Sequence, residues 1–450
     1  MGSRSFTTHF IFKKNNLKPF VSMKKKIFCL ITANKSVERD FNLNPNFYLE
    51  ISKKFKTFYI INVSQIISNE IKISYNKKFL KTLPKNIKLL NFNKFWDFKK
   101  YLNRKKNYEF LAFCALGKTY NCFKIHYLLK KHNFKLFILH NIGMIPTNID
   151  FVHSKKDTYI FILKEYLKKK LNYFFFRFFI FLNIFPRVEI FFESSKININ
   201  TLNNYFTKKI NKLFPKVNLS YYKSIHHINS RSYDELITKQ HLLKQDEIVF
   251  LDSGFDHLDR VKRSGSATEA ERKKYYSMVG AILLQLKKYF NKRIVFTLHP
   301  QTDAKIVKKY LKNFKIVKYK TRSHILKAFL VVFHESSSAL DAVFLNKKMI
   351  VLQSKTMGKY FETINKIYPK FLGIPAYKME NFIKIDKKKL LKDVSKPNKK
   401  RLNYIKNYLV KDFKIYNYLH NEHKFQKNKN FFLSQRGSKE VLNKIINDYF

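Results

Sequence analysis

Short apolar runs separated by polar or helical stretches recur along the first part of the chain. Five of them are predicted strands: Lys26–Ile31, Phe58–Val63, Ile87–Phe92, Tyr108–Cys114 and Leu136–His140. A helix-like stretch, Asn121–Lys131, separates the last two. Buried runs of this length with helices between them are typical of a parallel α/β sheet. The pattern therefore predicts a Rossmann-like first domain.

A second region repeats the alternation of strands and helices. Its predicted strands are Glu247–Leu251, Arg293–Leu298, Lys315–Tyr319, Leu330–Phe333 and Met349–Gln353, and its predicted helices are Thr268–Asn291, Thr302–Asn313, Ser323–Phe329 and Ala339–Leu345. Within the longest helix, apolar residues fall on one face at steps of three and four, as a helix packed on a sheet requires. Beyond this region, residues 356–450 read mostly as helix. The region predicts a second Rossmann-like domain.

The length of 450 residues agrees with two domains rather than one. We expect an extension at residues 1–22, which would be disordered, and a first domain at 23–160. A basic and aromatic connecting segment at 161–245, a second domain at 246–355 and a helical region at 356–450 complete the division. The expected fold is α/β and GT-B-like, in which two Rossmann-like domains face a cleft and a helical C-terminal region packs across both.

The composition allows large cores but identifies no partner by itself. Hydrophobic residues make up 45% of the chain, which excludes a disordered protein. The formal net charge of +59 would attract nucleic acid, anionic lipid or nucleotide phosphates. The same excess of Lys, Asn, Phe, Ile and Tyr also arises in AT-rich coding sequences, so the charge alone does not decide. Three cysteines without a CxxC pair favour neither a zinc knuckle nor a disulfide framework.

The connecting segment contains an aromatic run, Leu171–Phe185, preceded by the lysines 168–170. This run includes Arg177 and is shorter than the ~20 residues that span a bilayer. Lysines beside an aromatic helix suit a segment that lies in the membrane interface, and a buried helix between domains is the alternative. The basic start, residues 1–22, lacks the apolar core of a signal peptide. We therefore expect a cytoplasmic protein, peripheral to the inner face of the membrane.

Polar residues follow three predicted strands of the second domain. Asp252 ends the first strand, His299 follows the next, and Ser336–Ser338 follow a later one. The carboxyl ends of parallel strands face the ligand crevice, so these groups are expected to converge. An imidazole can bind a phosphate, and hydroxyls and amides at a helix start can bind an anion. A carboxylate at Asp252 could deprotonate an acceptor hydroxyl.

Each of these features also has a structural interpretation. Ser336 or Ser337 could be only a helix N-cap, and His299-Pro300 could be only a turn. Asp252 followed by Ser253-Gly254 could be a turn as well. Three such features at successive strand ends favour a common site more than any one of them does.

The segment 246–355 resembles the nucleotide-binding half of bacterial GT-B enzymes that use CMP-activated sugars, of the sialyltransferase and Kdo-transferase type. Asp252-Ser253-Gly254 corresponds to the acidic-Gly motif of these families, His299-Pro300 to their His-Pro motif and Ser336–Ser338 to their serine motif. The first motif usually holds two acids, and Ser253 stands where the second would be. Secondary site candidates are Gly254, Asp256, Asp259, Pro300, His334 and Glu335.

The resemblance implies a metal-independent glycosyltransferase of surface-polysaccharide biosynthesis. Its donor would be a nucleotide sugar, best a CMP-sugar, and its acceptor a surface glycan or a lipid-linked glycan. Asp252 and His299 would be catalytic, and His299 with Ser336–Ser338 would bind the donor phosphate. It implies no metal and no cofactor beyond the donor, and an anionic membrane surface as a partner.

Two other functions stay open. Teichoic-acid-type polyol-phosphate transferases also combine a His-Pro pair with downstream serines. A basic nucleic-acid-binding protein is the alternative from another class, although no RRM or KH motif occurs and no specific nucleic acid is expected. Gly117-Lys118-Thr119 lacks the first glycine of a P-loop, no GxGxxG occurs, and His226-His227 has no further ligands at metal spacing.

Overall fold

The computed structural model contains two separate parallel β-sheets with helices packed on them. It describes residues 25–33, 41, 44–68, 77–143, 167, 171–172, 174–197, 221–237, 245–255, 267–300, 302–357, 359–395, 398–413, 416 and 429–450. The expected extension at 1–22 and the candidate residues Asp256 and Asp259 lie outside these ranges.

The first sheet has seven parallel strands in the order β3-β2-β1-β4-β5-β6-β7. They are β1 (Lys25–Thr32), β2 (Phe58–Asn62), β3 (Ile87–Asn91), β4 (Tyr108–Cys114), β5 (Lys135–His140), β6 (Val188–Glu193) and β7 (Tyr222–His227). Its helices are α1 (Pro45–Lys54), α2 (Ser64–Ile67), α3 (Lys77–Thr82), α4 (Phe95–Arg104), α5 (Tyr120–Lys131) and α6 (174–181). The five strands predicted in this region are confirmed to within one residue at each end.

Both faces of this sheet are buried, so its strands are continuous apolar runs. In β1, Ile27, Cys29 and Ile31 pack in the core on one face. Phe28, between them, packs in a second core on the other face. Successive side chains of a strand point to opposite faces, so only a run without polar interruptions can fill both cores.

The second sheet has six parallel strands in the order β10-β9-β8-β11-β12-β13. They are β8 (Glu247–Leu251), β9 (Arg293–Leu298), β10 (Lys315–Lys318), β11 (Ala328–Phe333), β12 (Lys348–Gln353) and β13 (Ala376–Lys378). Its helices are α8 (Glu269–Phe290), α9 (Ala304–Tyr310), α10 (Thr321–Lys327) and α11 (Ala339–Phe344). Both sheets thus follow the doubly wound order 3-2-1-4-5-6, with one further strand in the first.

The longest helix, α8, has a clear start and end in its sequence. Thr268 and Glu271 form a reciprocal capping box at its N-terminus. Asn291 ends the helix in the left-handed conformation with φ of 50°. Between these caps, Tyr275, Ile282 and Leu286 are buried on the sheet, as the helical spacing predicts.

The C-terminal region returns to both domains. It contains α12 (Lys359–Leu372), α13 (Lys387–Ser395), α14 (Lys399–Tyr404), α15 (Lys429–Ser434) and α16 (Gly437–Tyr449). Leu442 and Ile445 of α16 belong to a core of the first domain, whereas Tyr404 and Phe432 belong to a core of the second. The expected GT-B-like fold, with two Rossmann-like domains and a helical C-terminal region, is confirmed.

The structure corrects the expected domain limits in two places. Strands β6 and β7 lie within the segment 161–245, so part of the expected connector belongs to the first sheet. Strand β13 lies beyond residue 355 and completes the second sheet. Strand β13 has only three residues, and β6 follows the aromatic helix so closely that the change from helical to strand periodicity was not recognised. The true connection includes α7 (Arg231–Leu236).

Candidate functional site

The second sheet brings the three motif loops to one edge. Strand β8 lies between β9 and β11, and all three run parallel. Asp252, His299 and Ser336 follow the carboxyl ends of these neighbouring strands. The boundary between β8 and β11 is the point where the strand order reverses, where ligands bind in open α/β sheets.

Asp252 holds the first two motif loops together. Its side chain is buried, with 3% exposed. Oδ2 accepts hydrogen bonds from the His299 backbone N–H (3.1 Å) and the Thr302 hydroxyl (2.7 Å), and Oδ1 accepts one from the Gly254 N–H (3.0 Å). A carboxylate that accepts three bonds from the protein is well placed to fix a loop. This geometry favours a role for Asp252 in positioning the loops over the role of proton acceptor that the sequence suggested.

Gly254 and Pro300 shape the same two loops. Gly254 has φ of 72°, a conformation that residues with a Cβ rarely adopt. Pro300 follows the half-buried His299, and the Thr302 N–H donates to the His299 carbonyl at 2.9 Å. The His-Pro segment is therefore a hydrogen-bonded turn, and the turn holds the imidazole at the strand end.

Ser253 connects the first loop to the third. Its hydroxyl donates to the Glu335 carbonyl (2.7 Å) and accepts from the Glu335 N–H (3.0 Å). These bonds cross the reversal point between β8 and β11. Ser253 stands where the resembled families have a second acid, and in this chain its hydroxyl joins the first motif loop to the third.

The serine loop is ordered by its own backbone. Ser336 N–H donates to the Tyr368 hydroxyl (3.2 Å), and Ser338 N–H donates to Ser336 Oγ (3.2 Å). Ser338 is the N-cap of α11 but makes no side-chain capping bond. The amides of Ser336 and Ser338 are thus engaged within the protein, and α11 has only six residues, so its helix dipole contributes little here. The exposed Ser337 and half-buried Ser338 leave hydroxyls as the groups able to meet a phosphate.

His334 is buried behind this edge and has a structural environment. Its Nδ1 lies 2.7 Å from the Leu352 carbonyl, and its ring packs against Phe250 and Tyr275. Burial lowers the pKa of His334 to about 4. Glu335, the other secondary candidate here, is half-buried and bonded to Ser253 through its backbone.

A buried polar cluster connects the site region to the first domain. Asp341 of α11 accepts hydrogen bonds from the Ser232 hydroxyl of α7 (2.6 Å) and from Arg322 Nε of α10 (3.1 Å). The Arg231 N–H donates to the Asn141 carbonyl of the first domain at 2.7 Å. Helix α7 therefore bridges the carboxyl edge of the first sheet and the helix that follows the serine loop.

The sequence interpretation missed one pair at the carboxyl edge of the first sheet. His140 ends β5 and Glu193 ends β6, with Nδ1 and Oε2 2.6 Å apart. His140 was visible as the last residue of a predicted strand. Glu193 was not, because the segment that contains it was interpreted as a connector.

A solvent-open cavity of about 310 Å³ lies elsewhere, between α1 and the C-terminal helices. Lys53 and Lys439 are among its lining residues, and none of the motif residues is. The strand-end cluster, rather than this cavity, brings together the chemical groups predicted from sequence.

Comparison with known proteins gives similarity of overall shape only. No protein-family profile and no curated protein matches the chain. Among solved structures, Medicago truncatula UGT71G1 complexed with UDP-glucose is 11% identical to this chain and has a TM-score of 0.45. The match covers 94% of this chain and 98% of UGT71G1. The wall teichoic acid polymerase TagF is 12% identical and has a TM-score of 0.47, and the match covers 89% of this chain and 90% of TagF. A UDP-GlcNAc 2-epimerase from Methanocaldococcus jannaschii is 12% identical and has a TM-score of 0.47, and the match covers 94% of this chain and 99% of the epimerase. The strand order above, rather than these similarities, establishes the fold.

Proposed function

We propose that this chain is a glycosyltransferase that takes a nucleotide-activated sugar as its donor. The observation that carries the proposal is the joining of three motif loops at the reversal point of the second sheet by Asp252 and Ser253. This edge is where doubly wound sheets bind nucleotides. It presents one imidazole and a serine cluster, which are groups that bind a phosphate.

In this proposal, His299 donates a hydrogen bond to the donor phosphate, and the hydroxyls of Ser337 and Ser338 add further bonds. These contacts stabilise the charge that develops on the phosphate as the bond to the sugar breaks. Asp252 and Ser253 hold the loops in position. The motif resemblance favours a CMP-sugar, a surface glycan or lipid-linked acceptor, and transfer without a metal ion.

Nucleotide binding tests the proposal directly. CMP, UDP, GDP and CDP would each be added to the full chain, and the melting temperature measured. A nucleotide at 100 times its Kd stabilises the native state by about 2.7 kcal/mol, so a binding nucleotide raises the melting temperature by a few degrees. We expect CMP to give the largest shift. If none of the four raises the melting temperature, the proposal is wrong.

Two variants locate the binding site. His299→Ala should weaken CMP binding by roughly 10- to 100-fold, because a hydrogen bond to a charged group contributes about 1.5–3 kcal/mol. Ser337→Ala should weaken it less. His132→Ala is the matched control, since His132 is a half-buried histidine at the end of α5 in the first domain. An equal loss in His132→Ala would place the nucleotide elsewhere.

The same experiment separates the alternatives. Preference for CDP, with transfer of a phosphate-linked polyol, would favour the teichoic-acid-type enzyme. RNA binding that weakens steeply with salt, without any nucleotide effect, would favour a nucleic-acid-binding protein.

We also propose that the enzyme works at an anionic membrane surface through one aromatic face of the first domain. This face consists of exposed aromatic side chains on α4, α5 and α6: Trp96, Tyr120, Tyr127, Phe174, Phe175, Phe178 and Phe181. The three helices adjoin one another, since Lys124 of α5 lies 5.5 Å from the Phe95 ring of α4 and Phe123 packs on Phe176 of α6.

The opposite side of α6 anchors the face to the domain. Phe176 and Ile180 are buried in the first core, whereas Phe174 is 62% exposed. Exposed Lys100, Lys124 and Lys131 lie on the neighbouring helices. Aromatic rings beside lysines fit the interface of an anionic bilayer. Among the described helices, none combines the length and apolar composition needed to cross a bilayer.

Vesicle sedimentation tests this surface. We expect the protein to sediment with vesicles that contain phosphatidylserine and much less with phosphatidylcholine alone. The double variant Phe174→Ser and Phe178→Ser should abolish most of this binding. Phe431→Ser, at an aromatic residue 53% exposed on α15, is the control and should bind normally. Equal binding by all three proteins would contradict the proposed surface.

A further inference from the structure

A histidine and a glutamate form a close pair at the carboxyl edge of the first sheet. His140 and Glu193 are the last residues of the neighbouring parallel strands β5 and β6 and lie opposite each other in register. Nδ1 of His140 is 2.6 Å from Oε2 of Glu193. The histidine side chain is 35% exposed and the glutamate side chain only 1%. The pair is thus a solvent-accessible imidazole backed by a buried carboxylate.

The surroundings fix the orientation of both groups. The second oxygen of Glu193, Oε1, accepts a hydrogen bond from the Ser195 N–H at 2.8 Å. The His140 ring stacks on Phe191, with centroids 6.1 Å apart and planes at 23°. With Nδ1 directed to the carboxylate, Nε2 is the ring nitrogen that remains to accept a proton from a substrate. The hydrogen bond to Glu193 raises the pKa of His140 above its ordinary value.

The chain after His140 leads into the boundary between the domains. The carbonyl of Asn141 accepts a hydrogen bond from the Arg231 N–H of α7 (2.7 Å), and Ile142 packs against a core of the second domain. Helix α7 in turn bonds to Asp341 of α11, the helix that begins directly after the serine loop. The pair therefore lies on the side of the first domain that adjoins the candidate donor site.

We propose that His140 is the catalytic base of the transferase and that Glu193 is its positioning residue. The inference rests on the proposed function, and it assigns to the first domain the proton acceptor first sought at Asp252. The carboxylate of Asp252 accepts three hydrogen bonds from the protein, whereas Nε2 of His140 is on an accessible ring.

The step balances without any further reagent. The acceptor hydroxyl loses its proton to Nε2 of His140 while its oxygen forms a bond to the anomeric carbon of the donor sugar. The bond from that carbon to the donor phosphate breaks, and its electron pair leaves with the nucleotide phosphate. Glu193 stabilises the imidazolium that results, and the proton then passes to solvent.

Kinetics of His140→Gln and Glu193→Gln test the assignment. His140→Gln should lower kcat by about 10²- to 10⁴-fold, the usual contribution of a general base. Glu193→Gln should lower kcat less. It should also move the acid limb of the pH profile of kcat/KM to lower pH, because the pKa of His140 is no longer raised by a carboxylate. A residue with only a structural role would not move that limb.

Other titrating groups near the pair define the control. His227 ends the neighbouring strand β7, and its Nε2 lies 3.2 Å from the Ser194 carbonyl; burial and the charges of Lys196 and Lys411 lower its pKa. His226, one residue earlier, packs on Phe192 and has a pKa lowered chiefly by burial. His226→Gln, at a strand-end histidine without a carboxylate partner at this distance, should keep kcat and the pH profile of the wild type.

Nucleotide-induced thermal shifts separate the possible failures. All three variants should keep the wild-type shift with the donor nucleotide, because the pair is on the other domain; this also shows that they are folded. If the wild type responds to no nucleotide, the proposed function fails and the inference fails with it. If the wild type binds and turns over, but His140→Gln has a similar kcat or Glu193→Gln leaves the acid limb in place, only the assignment of the base is overturned.

Discussion

Ser253 and Glu335 are joined by two hydrogen bonds across the reversal point of the second sheet. The Ser253 hydroxyl donates to the Glu335 carbonyl at 2.7 Å and accepts from the Glu335 N–H at 3.0 Å. A single side chain thus satisfies the backbone that leads from β11 into the serine loop. The pairing between β8 and β11 ends at Leu251 and Phe333, and the bonds of Ser253 connect the two chains beyond that point.

We expect Ser253→Ala to lower both stability and nucleotide affinity. The loss of two bonds to a half-buried peptide should lower the free energy of unfolding by about 1–2 kcal/mol. The freed serine loop should weaken nucleotide binding several-fold. Urea unfolding and thermal shift measure the two effects.

Ser52→Ala is the control for this change. The Ser52 hydroxyl also donates to a backbone carbonyl, that of Leu49 at 2.8 Å, but at an exposed position in α1. Its removal should change stability by less than about 0.5 kcal/mol. If Ser253→Ala is as mild as Ser52→Ala in both measurements, Ser253 does not hold the loop.

Asp252→Asn should mainly lower stability. The amide that replaces one carboxylate oxygen cannot accept the bond that the His299 N–H donates. A buried N–H without its acceptor costs about 1–3 kcal/mol, and urea unfolding should show a decrease of that size. The opposite pattern, with normal stability and nearly complete loss of turnover, would restore Asp252 as the catalytic base.

The sequence predicted the strands at this edge well because each is a short apolar run with a clear end. The run Glu247–Leu251 is buried at every position, as expected for a strand of a parallel sheet that is covered on both faces. The residues that join the loops were harder to predict from the sequence. Ser253 was noticed only as a missing acid, since nothing in a sequence shows that its hydroxyl reaches Glu335, 82 positions away. Glu193 was missed because pairing between β5 and β6 depends on a parallel crossover of nearly fifty residues.

His334 should make the protein less stable in mild acid. Burial lowers its pKa in the folded state to about 4, below the ordinary value of 6.5. As pH falls from 6.5 towards 4, the unfolded chain binds a proton that the folded protein cannot accept, so the free energy of unfolding decreases. His126, whose pKa burial also lowers to about 4, should add to this slope.

Replacing His334 separates titration from packing. Between pH 6.5 and 4, the free energy of unfolding of His334→Leu should fall less steeply than that of the wild type. The difference in slope should correspond to the uptake of about one proton on unfolding, as measured by urea unfolding at several pH values. Asn365→Leu is the matched control, because Asn365 donates to the same Leu352 carbonyl at 3.2 Å but does not titrate in this range. It should lower stability at every pH and leave the slope unchanged. An unchanged slope in His334→Leu would show that His334 takes up its proton as readily in the folded protein as in the unfolded chain.

Asp341 should be the most sensitive residue of the interdomain cluster. It is 2% exposed, and its carboxylate meets both Arg322 and the hydroxyl of Ser232. Asp341→Leu removes the carboxylate that lies 3.1 Å from Arg322 Nε and leaves the more distant Glu235, at 3.5 Å, beside an arginine side chain that is only 19% exposed. Breaking one side of a buried pair costs about 3–5 kcal/mol. Because Glu235 still offsets part of the charge, we expect the free energy of unfolding, measured with urea, to fall by an amount near the lower end of this range.

A double-mutant cycle shows whether that loss comes from the uncompensated charge. Arg322→Met together with Asp341→Leu removes both charges and keeps an apolar chain at each position. If the guanidinium left in Asp341→Leu is the main penalty, the double variant should be more stable than the sum of the single changes predicts, by about 1–3 kcal/mol. Additive losses would mean that Asp341 acts through Ser232 rather than Arg322.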